Sequence, residues 1–172
     1  MKVGIALLAY NRPNHLKTVL DAIVKQKIKS INIYIDGPEN KKISVNQDKI
    51  FKLLKKYKSK ILINLLRQPK NNGLAFSVTN AITSELKNND AVILLEDDCV
   101  PLNGFFQYMF SSLKKYRFSK NIRSICSYNN LKIKSNKAFF LKRFNPWGWA
   151  TWKDRWTKYN FETKNTIEQI KN

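Results

Sequence analysis

Two hydrophobic rhythms alternate along the chain up to Pro101. Val3 to Ala9, Ile31 to Ile35, Ile61 to Leu66 and Ala91 to Leu95 are short, nearly continuous apolar runs rich in β-branched residues. That pattern predicts strands buried on both faces. Between them apolar residues recur at helical spacing: Leu16, Val19, Leu20, Ile23 and Val24; then Ile50, Phe51, Leu53, Leu54 and Tyr57; then Leu74, Val78, Ala81, Ile82 and Leu86. The order reads β-α-β-α-β-α-β. Pro13 suits a first helical turn, Ser44 with Gln47 makes a capping box, and Gly73 precedes the third helix. After Pro101 the rhythm changes to a helix over Leu102 to Tyr116 and strands at Ile122 to Ser127 and Ala138 to Leu141. Trp149, Trp152 and Trp156 follow at i, i+3, i+7, the spacing of one packed helix face.

Such alternation predicts an α/β fold, a mainly parallel sheet with right-handed crossovers and helices on both faces. Residues just after each strand then collect along one edge, where ligands of these folds bind. That edge reads Tyr10-Asn11-Arg12, Asp36-Gly37-Pro38, Arg67-Gln68 and Glu96-Asp97-Asp98. Three consecutive acids there stand out in a chain with 12 acids and a net charge of +20. Adjacent carboxylates repel and are costly to bury unpaired. A divalent cation, Mg²⁺ or Mn²⁺, answers that need with carboxylate oxygens and open positions for substrate phosphates. The alternative has Asp98 capping the helix after Pro101 while the other acids face solvent or a lysine.

At 172 residues the chain is long enough for one domain. Its apolar runs fall short of the roughly 20 residues needed to span a bilayer, so the expectation is a soluble protein. Met1-Lys2 and the run after it mimic a signal peptide, but Asn11-Arg12-Pro13 follows directly and no small-residue cleavage site appears. Two cysteines, Cys99 and Cys126, and the single His15 support neither a disulfide framework nor a thiolate zinc site, which points to the cytoplasm. The 32 basic residues would suit nucleic acid, an anionic membrane surface or an anionic substrate, or simply form a solvated lysine face.

Five segments together, "LLAYNRP", "IYIDGP", "NNGLAFSVTNA", "VILLEDDCVP" and "NPWGWATWKDRW", resemble a GT-A-fold, nucleotide-sugar-dependent glycosyltransferase. The likeness is to family-2-like bacterial sugar transferases and the N-acetylglucosaminyltransferase I type, and it covers nearly the whole chain. It implies residues 1–101 as a nucleotide-binding half and 102–172 as the start of an acceptor-side half. It implies Asp98 as the direct ligand of Mn²⁺ or Mg²⁺, with Asp97 on the ribose or on metal-bound water, and Glu96 toward the donor ribose or sugar. Asp36 matches the acid that accepts from a uracil ring, and Ala9, Tyr10, Asn11 and Arg12 match the wall of the nucleotide pocket. Arg67 and the Gly73-Leu74 turn would lie near the base or phosphates, and Trp147-Gly148 beside the donor sugar. The implied partners are a UDP-sugar donor and a cell-surface glycan or lipid-linked acceptor, with peripheral contact to the anionic inner face of the membrane.

One part of the family pattern is missing. An inverting transferase needs a carboxylate base for the acceptor hydroxyl, and in related sequences that acid lies further along than "WGWATW". The late acids are Asp154, Glu162 and Glu168, with Asp154 the nearest candidate and equally a surface helical pair with its basic neighbour. The expectation is a base beyond Asn172 and a truncated or shortened chain that binds donor, or a catalytically silent donor-binding domain. A haloacid-dehalogenase-like phosphatase is disfavoured because Glu96 stands where its nucleophilic aspartate belongs. A sugar nucleotidyltransferase would need a glycine-rich loop where this chain has Tyr10-Asn11-Arg12-Pro13. No nucleic acid is expected, since acids at the ligand edge repel phosphates unless a metal intervenes. His15 reads as an exposed or capping residue and Cys99 as a small buried filler.

Overall fold

The computed structural model describes residues 1–130 and 138–159. The expected alternation is present: β1 (Val3–Ala9), α1 (Pro13–Lys25), β2 (Ser30–Ile35), α2 (Lys41–Tyr57), β3 (Leu62–Arg67), α3 (Leu74–Asn88) and β4 (Ala91–Glu96). Then come α4 (Phe105–Lys115), β5 (Ser124–Cys126), β6 (Trp149–Trp152) and the short α5 (Lys153–Trp156). Among the described residues one sheet forms, in the order β3-β2-β1-β4-β6-β5. The first four strands are parallel; β6 runs antiparallel to both β4 and β5.

Strand periodicity divides the core into two layers. Leu7, Ile33, Ile93 and their neighbours face α1, α2 and α4, burying Leu16, Leu20, Ile50 and Met109 completely. Ala6, Leu8, Val92 and Leu94 face the other way onto Ala81, Ile82 and Leu86 of α3. With α1 and α2 on one side and α3 on the other, the chain leaves β1 in one direction and returns to its opposite flank. β1 and β4 therefore meet at a topological switch point, beyond whose carboxyl ends a crevice opens.

Several expected elements differ. The second helix starts at Lys41, capped by Asn40, whose Oδ1 accepts from the Ile43 amide at 3.1 Å; Ser44 lies inside the helix and there is no Ser44–Gln47 box. Gln47 is buried instead and donates to the Asp36 carbonyl at 2.9 Å. The third strand is the sheet edge, with one neighbour, so Leu62, Leu65 and Leu66 stay exposed. Leu74 is exposed as well, in the first turn of its helix. The fourth helix begins at Phe105, after Gly104 at φ +86°, and Leu102 is exposed. Ala138 to Leu141 forms no strand; β6 takes the place beside β4.

The tryptophans are the largest correction. Trp149 and Trp152 sit on a strand, where a spacing of three sends them to opposite faces. Trp149 joins the α3 layer and Trp152 the α1/α4 layer, its Nε1 donating to the Leu113 carbonyl at 3.1 Å. Core packing is confirmed, but through the sheet. Trp156, on α5, packs against the α3 layer and donates to Thr83 at 2.9 Å. No helix among the described residues is long and apolar enough to cross a membrane.

Candidate active site

The crevice at the switch point is built by the ends of β1 and β4. Ala9 ends β1, and Tyr10, Asn11 and Arg12 lead into α1, with Arg12 as its N-cap residue and Pro13 in the first turn. Opposite, Glu96 ends β4 and Asp97 and Asp98 continue in a turn. The Arg12 guanidinium spans both aspartates: Nη1 donates to Asp98 Oδ2 at 2.8 Å, and Nη2 donates to Asp97 Oδ1. The Asp97 side chain is only 3% exposed against 43% for Asp98. Asp98 is thus no helix cap; α4 is preceded by Gly104 without a side-chain cap.

These contacts set the electrostatics. Burial pushes the Asp97 carboxyl above the usual carboxylate range, against the pull of the Arg12 guanidinium. Glu96, half-buried, is raised by burial and then by the charges of Asp98 and Asp97, with Arg12 opposing. Burial would lower the Arg12 value, but both aspartates outweigh it and hold the guanidinium charged. The knot therefore keeps an excess of negative charge at a desolvated point, where a cation is favoured.

On one side of the pair lies a cleft of about 430 Å³, lined by Ala9 to Arg12, Glu96 and Asp97, and by Asp36, Glu39, Asn71, Gly73, Leu74 and Ser77. Asp36 is buried and holds its far wall together. Its Oδ1 accepts from the amides of Gly37 at 2.9 Å and Asn72 at 3.0 Å, its Oδ2 from Asn72 at 3.1 Å and Gly73 at 2.9 Å. Those contacts fill the acceptor capacity of a carboxylate. Gly37 admits the loop, since a Cβ there would lie 2.2 Å from the Lys70 carbonyl carbon. Asn71 donates to the Tyr10 hydroxyl at 3.0 Å and to the Gly37 carbonyl at 3.1 Å, and Gly73, at φ +84°, is the N-cap residue of α3. Ser77 Oγ is shut off from solvent and has no hydrogen-bond partner among the described residues.

On the other side a wider cleft of about 720 Å³ is lined by Asp98, Cys99, Asn103, Tyr108, Tyr128, Trp147 and Gly148 among others. Trp147 is half exposed and meets Tyr128 edge to face at 4.8 Å. Ser127 Oγ donates to the Gly148 carbonyl at 2.9 Å, and Gly148 sits at φ +66° with Phe105 close behind it. Burial pushes the Cys99 thiol up to about 11, as befits a filler rather than a nucleophile.

Of the residues singled out by sequence, the structure gathers Ala9, Tyr10, Asn11, Arg12, Asp36, Gly73, Leu74, Glu96 and Asp97 around one cleft and Asp98, Trp147 and Gly148 around the other. Arg67 lies apart, its guanidinium over the Phe51 ring at 4.0 Å. Asp154 is further still. It follows β6, whose Trp152 pairs with Ala91 at the start of β4, so the length of β4, about 17 Å at ~3.3 Å per residue, separates it from Glu96. Partial burial works against its ionisation, yet Lys120 and Arg155 prevail and hold its carboxyl below the usual range. His15 is exposed. Glu162 and Glu168 lie outside the described residues. Sequence reading passed over Glu39, Asn71, Ser77 and Tyr128; "NNG" before α3 was the one available signal.

Asp97 and Asp98 already converge on one cation, that of Arg12. Two carboxylates with the remainder left to water and phosphate is a donor set that fits Mg²⁺ or Mn²⁺. Among the described residues no group of three or more His, Cys, Asp or Glu is placed to hold a metal, so a closed site of the zinc type is not formed.

Sheet order, crossovers and crevice make a mainly parallel, GT-A-like α/β fold. A 4-diphosphocytidyl-2C-methyl-D-erythritol synthase from Anaerococcus prevotii shares it with a TM-score of 0.58 at 14% identity, over 99% of this chain and 85% of that one. A protein assigned as a nucleotide-diphospho-sugar transferase from Desulfovibrio desulfuricans does so at 0.51 and 10% identity, over 99% and 76%. S. aureus TarS, as its 1–349 fragment, matches at 0.53 and 13% identity over 68% of this chain, which spans 33% of that fragment's length. No protein-family model matches the chain, and no curated protein matches it in sequence.

Proposed function

We propose that the chain binds a nucleoside-diphosphate sugar, in the first instance a UDP-sugar, across the Asp97–Asp98 pair, for transfer to a cell-surface glycan or lipid-linked acceptor. The observation that carries this reading is an acid pair at the switch point, gathered by one cationic group, with a cleft on either side. In it Asp98 and Asp97 hold Mn²⁺ or Mg²⁺, which when bound neutralises charge growing on the leaving diphosphate. The narrower cleft takes the nucleoside: Tyr10, Asn11, Glu39 and Ser77 wall it, and Glu96 turns to the ribose. The start of α3 at Gly73-Leu74 brings a positive helix end to the same cleft. Asp36 supports this wall by ordering the loop, and Arg67 takes no part.

The wider cleft takes the sugar and acceptor, with Trp147 as a stacking platform. Among the described residues lining it, Asp98 is the acid, and no separate carboxylate is there to serve as base. That favours, as a second reading, a domain that binds donor without transferring it.

Calorimetry with UDP-sugars, with and without Mn²⁺, tests the proposal. Heat that requires Mn²⁺ and is lost in Asp98→Ala is expected; heat that persists in the variant, or needs no metal, overturns it. Release of UDP on addition of acceptor separates transferase from silent binder.

The exposed lysines of α2, Lys41, Lys42, Lys49, Lys52, Lys55 and Lys56, against Asp48 alone, support peripheral contact with an anionic cytoplasmic leaflet. Co-sedimentation with vesicles that ignores anionic lipid content would discard that contact.

A further inference from the structure

Arg12 is placed to do for Asp97 and Asp98 what a divalent cation would do. Its fork does not grip one carboxylate with two parallel bonds, the usual arrangement for arginine. It is divided between two adjacent side chains, one nitrogen to each. Among the described residues it is the only cationic side chain in an ion pair with either acid. Asp97 has little else: the Tyr10 amide approaches its Oδ2 at 3.4 Å, long for a hydrogen bond, and the side chain is nearly closed to water. A buried carboxylate with one strong partner is held by that partner.

The backbone of Arg12 is fixed while its side chain is free to leave. Its carbonyl accepts from the Leu16 amide at 3.0 Å at the head of α1, and its side chain is 43% exposed. The guanidinium can therefore swing into solvent about its own torsions, with no movement of β1 or α1. A dication drawn to the oxygens that Arg12 now occupies would meet a like charge at contact distance, and the two cations repel each other there.

We infer that Arg12 is a built-in competitor of the metal: it offsets part of the charge of Asp97 and Asp98 in the metal-free chain and must vacate at least one of them when a divalent cation loads. The inference rests on the reading that a cation belongs at these carboxylates. It goes beyond that reading in predicting weak affinity for metal alone, and in making Arg12 the residue that sets it. A metal arriving with a diphosphate gains the phosphate oxygens as further ligands and displaces Arg12 more readily. Arg12 thus biases the site toward the metal–nucleotide complex over free metal. It is a positioning residue, acting through the two aspartates.

The probe is Mn²⁺ alone, followed by the paramagnetic resonance signal of the free aqua ion, which needs neither nucleotide nor turnover. Arg12→Gln, which keeps a hydrogen-bonding side chain but removes the charge, is expected to bind Mn²⁺ about tenfold more tightly than the native chain, within the usual range of coupling between competing ligands. Mn²⁺ should also raise the melting temperature of Arg12→Gln more than that of the native chain. Placing Asp98→Asn on the Arg12→Gln background should abolish the gain. If Arg12→Gln does not fold, Arg12→Lys keeps a charge but lacks the rigid two-nitrogen fork that spans both carboxylates, and a smaller gain in the same direction is expected. Affinity that is unchanged or weaker in the variant that folds overturns the inference, as does a gain that survives Asp98→Asn. A failure of the nucleotide-sugar reading would appear separately, as absent UDP-sugar heat in a chain whose Mn²⁺ affinity still rises on losing Arg12.

Discussion

Asp36→Ala separates two tasks for that residue. If Asp36 serves only to read a base, its removal should weaken nucleotide binding and leave stability untouched. The structure instead commits its carboxylate to the amides of Gly37, Asn72 and Gly73. The Gly37 bond is to the next residue and restrains little. The other two tie β2 to a loop 36 and 37 positions away. A hydrogen bond to a charged group contributes about 1.5–3 kcal/mol. Asn72 and Gly73 are partly exposed, so water can replace the lost acceptor and the low end applies. Two such bonds give about 3 kcal/mol, a large part of the ~5–15 kcal/mol that holds a typical domain. Urea denaturation should show this loss in Asp36→Ala, with hydrogen exchange at the Gly73 amide accelerated well beyond that at the centre of β1. Asp36→Asn keeps one acceptor oxygen but presents an NH₂ group to an amide donor, and should recover no more than half. A loss below about 0.5 kcal/mol in Asp36→Ala, the ordinary scatter of surface substitutions, would refute the reasoning.

Other perturbations probe other parts of the molecule. Gly4→Ala would bring a Cβ to 2.2 Å from the buried Glu85 carboxylate and 2.7 Å from Asn89 Nδ2. Glu85 is held there by Asn32, Tyr34 and Asn89, so thermal unfolding should report a loss of about 2 kcal/mol or more. Trp147→Ala, at a side chain half exposed on the wider cleft, should leave the melting temperature within a degree or so, while sugar-nucleotide affinity measured by calorimetry falls. Asp21 is held below the usual carboxylate range by Lys17 and then Tyr57, so the unfolded chain binds its proton first. The stability it contributes is present above the ordinary aspartate value and lost as pH falls through the lower folded one. The stability gap between the native chain and Asp21→Asn should therefore be open near pH 6 and close toward pH 2, as read by urea midpoints.

What the sequence determined by itself was local. Continuous apolar runs and helical stripes placed β1 to β4 and the helices between them, because burial on two faces or one leaves a period that neighbouring residues carry. From that order alone Tyr10 to Arg12, Asp36 and the three acids fell on one edge. Where several local patterns suit the same residues, the sequence misled: a spacing of three and seven among Trp149, Trp152 and Trp156 is helical, yet β4 had an open flank and took the segment as an antiparallel strand. The same placement carried Asp154 to the far edge of the sheet.

Tertiary structure alone decided which distant groups meet. Arg12 and Asp97 are 85 positions apart and touch because β1 and β4 are neighbours at the switch point, a consequence of strand order that no window of sequence contains. The Asp36 carboxylate is filled by amides that carry no sequence signal, since every residue but proline has one. The chain thus wrote out its elements and the chemical identity of its edge, while the packing of the sheet settled which acid meets which cation.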